Sequence, residues 1–214
     1  MKLQYRILKD ILDRSISFIL ILFLIPFMAI IWMLIKITSN GAAIFHQKRV
    51  GLHMREFEMY KFRTMKRDTP DCVPTLELAE IKDHTTAIGT FLRKTSIDEL
   101  PQLFNILRGD MSLIGPRPVI SKETSLISIR DEKGVYNVKP GLTGYAQING
   151  RDNVSALDKA IMDEYYMQNI SFWFDLRIVL MTIGKVLKSE DIYGGEQNEV
   201  ERAQTSGGSD EVAL

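Results

Sequence analysis

Cysteine is almost missing from this 214-residue chain. Cys72 stands alone, so no intramolecular disulfide can form and nothing points to a disulfide-stapled secreted scaffold. Histidine is scarce as well: His46, His53 and His84 show no ligand-like spacing, so a zinc site is not expected. An excess of one charge sign is also lacking, with 27 basic and 27 acidic residues, and nucleic acid is not an expected partner. The balance is uneven along the chain. Ile192 to Leu214 carries Glu196, Glu199, Glu201, Asp210 and Glu211 against Arg202 alone, which leaves the body at +4. A mildly basic body suits an anionic bilayer face or phosphate ligands. No internal repeat is present. Hydrophobic residues at 45% are enough for one packed domain.

One uncharged run is conspicuous. Ile16 to Ile35 reads ISFILILFLIPFMAIIWMLI, bounded by Asp13 and Arg14 before and Lys36 after. Twenty such residues in a helix cover roughly 30 Å, the thickness of a bilayer's hydrocarbon core. The run is too long for a signal peptide, and the residues after it lack a small-x-small cleavage pattern. Pro26 lies at its centre, where it removes a backbone donor and frees the carbonyl of Leu22, so a kink or break is expected. Basic residues flank both ends, Lys2, Arg6, Lys9 and Arg14 before and Lys36, Lys48, Arg49 and Arg55 after, so charge asymmetry selects no orientation. A kinked span and a hairpin that enters and leaves by one face both satisfy these facts.

The remainder reads as a small, mostly helical α/β domain. Two strand-like runs, Ala43–Gln47 and Phe57–Phe62, are separated by a turn at Gly51. Helices are expected over Thr75–Lys82, Ile88–Lys94, Ser96–Arg108 (closed by Gly109), Val119–Lys133, Ser155–Asn169 and Phe172–Ser189. Val138–Asn149 reads as an irregular loop, and the polar, glycine-rich chain beyond Tyr193 as a disordered tail. In the last helix Leu176, Val179, Leu180, Ile183, Val186 and Leu187 share a face. That face suits either a core or, with Phe172, Trp173 and Phe174 beside it, lipid headgroups.

Ser96-Ile97-Asp98-Glu99 has the pattern of a helix capping box, with a glutamate three residues after a serine. On spacing alone this structural reading outranks a catalytic one. Its surroundings are cationic, however: Arg93 and Lys94 precede it, Arg117 sits on a Pro-Arg-Pro turn, Lys61 and Arg63 alternate along a strand, and Arg151 follows a glycine-rich stretch. A carboxylate at a helix start beside cations is expected to stay ionised, and an ionised aspartate can attack phosphorus once the phosphate charge is neutralised. Asp158, Asp163 and Asp175 read as caps or solvated faces, and Tyr165 and Tyr166 as packing residues.

The string from Phe91 to Asn105, FLRKTSIDELPQLFN, followed by GDMSLIGPRP from Gly109 to Pro118, resembles the bacterial sugar transferase family, the monotopic phosphoglycosyl transferases. Lys61–Met65 (KFRTM) and Lys139–Arg151 (KPGLTGYAQINGR) are similar to further blocks of that family in the same order, and the likeness covers about residues 5 to 190. It implies an N-terminal reentrant membrane helix-break-helix over residues 1–38, broken at Pro26. It further implies a phosphoglycosyl transferase domain over 39–192, seated by amphipathic interfacial helices on the cytoplasmic face of the bacterial inner membrane. Residues 193–214 remain as tail. The expected reaction moves a sugar-1-phosphate from a UDP-sugar to undecaprenyl phosphate, with release of UMP. Asp98 is the implied nucleophile, Glu99 its base or metal-side helper, and Mg²⁺ the implied cofactor at Asp98 and Glu99. Arg93, Arg117, Arg151 and then Lys61 are the implied phosphate contacts. A competing reading is a catalytically silent, membrane-anchored subunit that binds nucleotide sugars or organises glycan assembly. One departure stands out: some family members place serine before the helix proline, and here that residue is Ile25.

Overall fold

The computed structural model describes residues 3–66, 85–150 and 154–188. The expected helix over Thr75–Lys82, Cys72, Arg151 and the tail lie outside them. Helix α1 runs over Leu3–Thr38 with Pro26 inside it, as one helical element on both sides of that residue. Strands β1 (Ile44–Val50) and β2 (Glu56–Phe62) form an antiparallel hairpin in which Ile44 pairs with Phe62 and Val50 with Glu56. Helix α2 (Ala87–Lys94), a single 3-10 turn at Ile97–Glu99, and α3 (Gln102–Arg108) follow. Strand β3 (Ser112–Ile114) pairs in parallel with β4 (Gly141–Thr143), and α4 (Thr124–Glu132) lies between them in sequence. Helices α5 (Tyr145–Asn149), α6 (Ala156–Asn169) and α7 (Phe172–Lys188) close the chain.

Two sequence expectations change here. The single helix over Ser96–Arg108 is divided. Ser96 takes a left-handed conformation (φ 56°) and makes no side-chain cap, so there is no capping box. Pro101, with no N–H to donate, separates the 3-10 turn from α3. Gly109 ends α3 at φ 92°, as its position predicts. The stretch Val138–Asn149, expected to be irregular, holds β4 and α5 instead. Its glycines serve close packing: a Cβ on Gly141 would come within 2.1 Å of the Gly115 nitrogen, and one on Gly144 within 2.1 Å of the Gly115 carbonyl oxygen. The end of β3 and the chain around β4 therefore approach at a distance only glycine permits.

Helix α1 lies against the domain along one stripe. Asp13, Ser17, Ile21, Met28, Ile31 and Ile35 are buried at intervals of three, four or seven residues, the spacing of one helix face. Ile21 packs with Met59, Leu103, Ile106 and Met111, whereas Met28, Ile31 and Ile35 pack with Ala43, Phe62 and Leu92. Its other faces expose Phe18, Leu22, Phe23, Ile25, Trp32, Met33 and Ile37. A helix apolar all round yet covered on one stripe leaves a surface far more suited to hydrocarbon than to water. The N-terminal end is tied down by polar contacts. Tyr5 and Lys9 reach Asp175 Oδ2 at 2.9 and 2.8 Å, and Ser112 Oγ donates to Asp13 Oδ2 at 2.5 Å. Asp175, read from sequence as a cap or solvated group, is thus a buried anchor that also accepts from Tyr166. Tyr166 itself is buried packing, as expected.

Candidate active site

Asp98 and Glu99 occupy the 3-10 turn between α2 and α3, and β2 and the Pro116–Pro118 turn bring cations to them. Lys61 Nζ meets Glu99 Oε1 at 2.8 Å, and Arg117 NH2 meets the same oxygen at 3.3 Å. The position of Lys61 depends on Asn105. This buried side chain donates Nδ2 to the Glu58 carbonyl at 2.7 Å and accepts the Tyr60 N–H at 3.0 Å, so α3 binds β2 as a neighbouring strand would. Sequence reasoning passed over Asn105. The available signal was a polar residue among Leu103, Phe104, Ile106 and Leu107, on the same helix face as the residues that prove buried, Gln102, Leu103 and Ile106.

Arg93, in the last turn of α2, donates Nε to Thr64 Oγ1 at 2.9 Å and lies close enough to Asp98 to act on its charge. Arg63 does not join Lys61. It turns to the Ser39 carbonyl and hydroxyl at 2.9 and 3.0 Å and ties the end of α1 to the end of β2. The structure thus brings Lys61, Arg93, Asp98, Glu99 and Arg117 together, whereas Arg151 falls outside the described residues.

Asp98 is 8% exposed. Burial pushes its carboxyl from 3.8 up to about 6, and the Glu99 charge adds to that; Lys61, Arg93 and Arg117 pull it back. The expectation from sequence is a carboxylate kept ionised by a helix start and cations; the structure supplies the cations but not the helix start. The capping box that would have favoured the charged form is not built, and desolvation outweighs the cations. At neutral pH the group is still mostly ionised, and it is more basic than an exposed aspartate.

The donor set also bears on a metal. Among the described residues no group of three or more histidine, cysteine or carboxylate side chains is placed so that it could hold a metal ion. Two adjacent carboxylates nevertheless fit Mg²⁺, which is commonly held by one or two carboxylates with substrate phosphates and water completing its shell.

Farther from the pair, Asp163 departs from its surface reading. It is 1% exposed and paired with Arg130, whose Nε and NH2 donate to Oδ2 at 2.9 and 2.5 Å. Asp158 is the group that behaves as expected, at the start of α6 beside the capping Ser155. On α7, Ile178 is fully buried while Leu176, Leu180 and Ile183 face outward with Phe172 and Trp173. The apolar face singled out in the sequence is largely the exposed one, and Leu157, Ile161 and Tyr165 continue an exposed stripe on α6.

Comparison with known proteins matches this arrangement to one family. The model of the bacterial sugar transferase family matches residues 4–189. The uncharacterized sugar transferase EpsL of Bacillus subtilis is 42% identical over 173 residues, which is 81% of this chain and 84% of that protein. The undecaprenyl-phosphate galactose phosphotransferase of Salmonella typhimurium is 37% identical over 208 residues, covering 90% of this chain but 43% of that protein. The UDP-glucose:undecaprenyl-phosphate glucose-1-phosphate transferase of Caulobacter vibrioides is 38% identical over 194 residues, 86% of this chain and 72% of that protein. The chain thus spans about two-fifths of some relatives and most of others. With the match extending from α1 through α7 and taking in the carboxylate pair and its cations, the chain belongs to the bacterial sugar transferase family.

Proposed function

We propose that this chain transfers a sugar-1-phosphate from a UDP-sugar to undecaprenyl phosphate, through a covalent phosphosugar on Asp98. The observation that carries the proposal is a buried, basicity-enhanced Asp98 next to a Glu99 held by Lys61 and Arg117. The ionised Asp98 oxygen attacks the β-phosphorus of the UDP-sugar. The phosphorus–oxygen bond to the α-phosphate breaks, and its electron pair leaves with UMP. An oxygen of the polyprenyl phosphate then attacks the same phosphorus and displaces the Asp98 carboxylate, giving a polyprenyl diphosphate sugar. Lys61, Arg93 and Arg117 supply the positive charge that lets an anionic nucleophile approach a diphosphate, and Arg151 is the further phosphate contact of this reading. Lys61 and Arg117 can exchange Glu99 for phosphate oxygens when substrate binds, which leaves Glu99 to act as a base. Asp98 and Glu99 would hold Mg²⁺, which when bound offsets diphosphate charge.

The same reading places the chain on the cytoplasmic face of the inner membrane, with α1 as a reentrant element. Both flanks of its apolar run touch one domain: Tyr5 and Lys9 at Asp175, and Ile35 at Phe62 and Leu92. A straight crossing would set those flanks on opposite sides of a hydrocarbon layer about 30 Å thick. The exposed stripes of α6 and α7 suit an interfacial seat in lipid.

The test uses purified chain in lipid nanodiscs with undecaprenyl phosphate, Mg²⁺ and a panel of UDP-sugars. UMP release with one or a few of them is expected. Release of UDP would point to ordinary glycosyl transfer, and no release with any sugar would favour a silent binding subunit. Cysteines placed before Ile16 and after Lys36 should be labelled from one membrane side, and labelling from opposite sides would rule out the hairpin.

A further inference from the structure

The backbone of Arg117 is held on both sides of its side chain. Pro116 and Pro118 flank it and restrict their own φ angles. The Pro116 carbonyl accepts the Gly141 N–H at 2.9 Å, and the Arg117 carbonyl accepts from Arg130 NH1 at 2.9 Å. The remaining donors of Arg130 used here, Nε and NH2, both go to Asp163 Oδ2. One guanidinium therefore joins α6 to the turn that carries a site cation. Arg130 and Asp163 are 3% and 1% exposed, so neither can meet a substrate.

A buried ion pair is seldom worth more to stability than well-packed apolar residues of the same volume, because two charges must first lose their water. What a guanidinium adds is direction. Its donors lie in one rigid plane, so pinning two of them on Asp163 fixes where the third points. We propose that Arg130 and Asp163 are positioning residues that hold the Pro116–Pro118 turn and thereby aim Arg117 at Glu99 and the donor diphosphate. The proposal rests on the transferase reading above for its kinetic consequence, though not for its geometry. A lysine at position 130 could not replace the arginine, since one nitrogen cannot hold Asp163 and the Arg117 carbonyl in two directions at once.

Two variants test it, Arg130→Met with Asp163→Leu, which strands no charge, and Arg130→Lys, each alone and combined with Arg117→Ala. The readouts are kcat/KM for UMP release, thermal unfolding, and hydrogen exchange at the Gly141 amide. Both variants should fold, lose about tenfold in kcat/KM and exchange the Gly141 proton about tenfold faster. In the Arg117→Ala background they should cost nothing further, because effects routed through one residue do not add. A second tenfold loss in that background would show a general effect on the fold and overturn the proposal, as would unchanged kcat/KM in the wild-type background. If the double replacement fails to fold, Arg130→Lys decides by the same comparison. If the unaltered chain releases no UMP, the transferase reading falls by itself, while unchanged Gly141 exchange would overturn the clamp independently.

Discussion

Asp98 and Asp163 are both buried carboxylates near arginine, and burial raises both above the ordinary aspartate value. Their partners differ. Asp163 has a guanidinium directed onto one of its oxygens by two hydrogen bonds. Around Asp98, the contacts of Lys61 and Arg117 described above go to Glu99, so Asp98 feels its cations through space while bearing the full cost of desolvation. A carboxylate engaged as Asp163 is holds structure together. One that the described cations compensate through space remains more basic than an exposed aspartate. Burial alone therefore does not separate the proposed nucleophile from a structural carboxylate; the direction of the surrounding cations does.

The largest effect that could break this contrast is at Asp98. Asp98→Asn should lower UMP release by at least about a thousandfold, since the oxygen that attacks in the proposed mechanism is lost. It should also stabilise the fold at pH 8. The folded-state value of about 6 lies above the ordinary 3.8, so the contribution of this group to stability is fully present below pH 3.8 and lost as pH rises through 6. Above that pH the charge costs the fold about 3 kcal/mol, and its removal should raise Tm by about 8 °C in a thermal melt. A fall in Tm would show that the cations around Asp98 outweigh its burial.

Next, Arg117→Ala and Lys61→Ala should each reduce kcat/KM about a hundredfold with little change in Tm, because both side chains are partly exposed and their contacts belong to the site. Equal activity of either variant would remove that cation from phosphate binding.

Asp163→Asn should behave in the opposite sense to Asp98→Asn. Leaving Arg130 buried without its counter-charge should cost about 3 kcal/mol in denaturant unfolding. If it instead stabilised the chain as Asp98→Asn is expected to, the distinction between the two carboxylates would fail.

The smallest effect is on the pH profile. With Asp98 near 6, kcat/KM should rise about tenfold from pH 5 to 7, half of the plateau being reached near pH 6, as measured by UMP release. A profile flat down to pH 5 would return Asp98 to an ordinary carboxylate value.

Much of the fold was legible because it follows from local rules. The β1–β2 hairpin, α2, the Gly109 stop and the Ser155-capped α6 arise from alternation, periodicity and capping within a few residues. What was misread depended on backbone conformation at one place and on partners distant in sequence at the others. Ser96 to Arg108 reads as a continuous helix until Pro101 and the left-handed Ser96 divide it. Val138 to Asn149 reads as a loop because β4 forms by pairing in parallel with β3, beside a close approach of glycines. Asp163 and Asp175 looked like solvated groups, since their partners Arg130, Tyr5 and Lys9 lie 33 to 170 residues away.

The sequence by itself determined that the chain has an apolar α1, a carboxylate pair and a set of cations in family order, because composition and motif order do not depend on folding. Only the tertiary structure decided what each charge does. Asn105 brings β2 to α3 and so Lys61 to Glu99; Arg130 holds the turn of Arg117; and burial, which no local pattern displays, moves Asp98 to about 6. The physical reason is that the strength and direction of an electrostatic interaction depend on distance and on excluded water, and both are properties of packing rather than of sequence spacing.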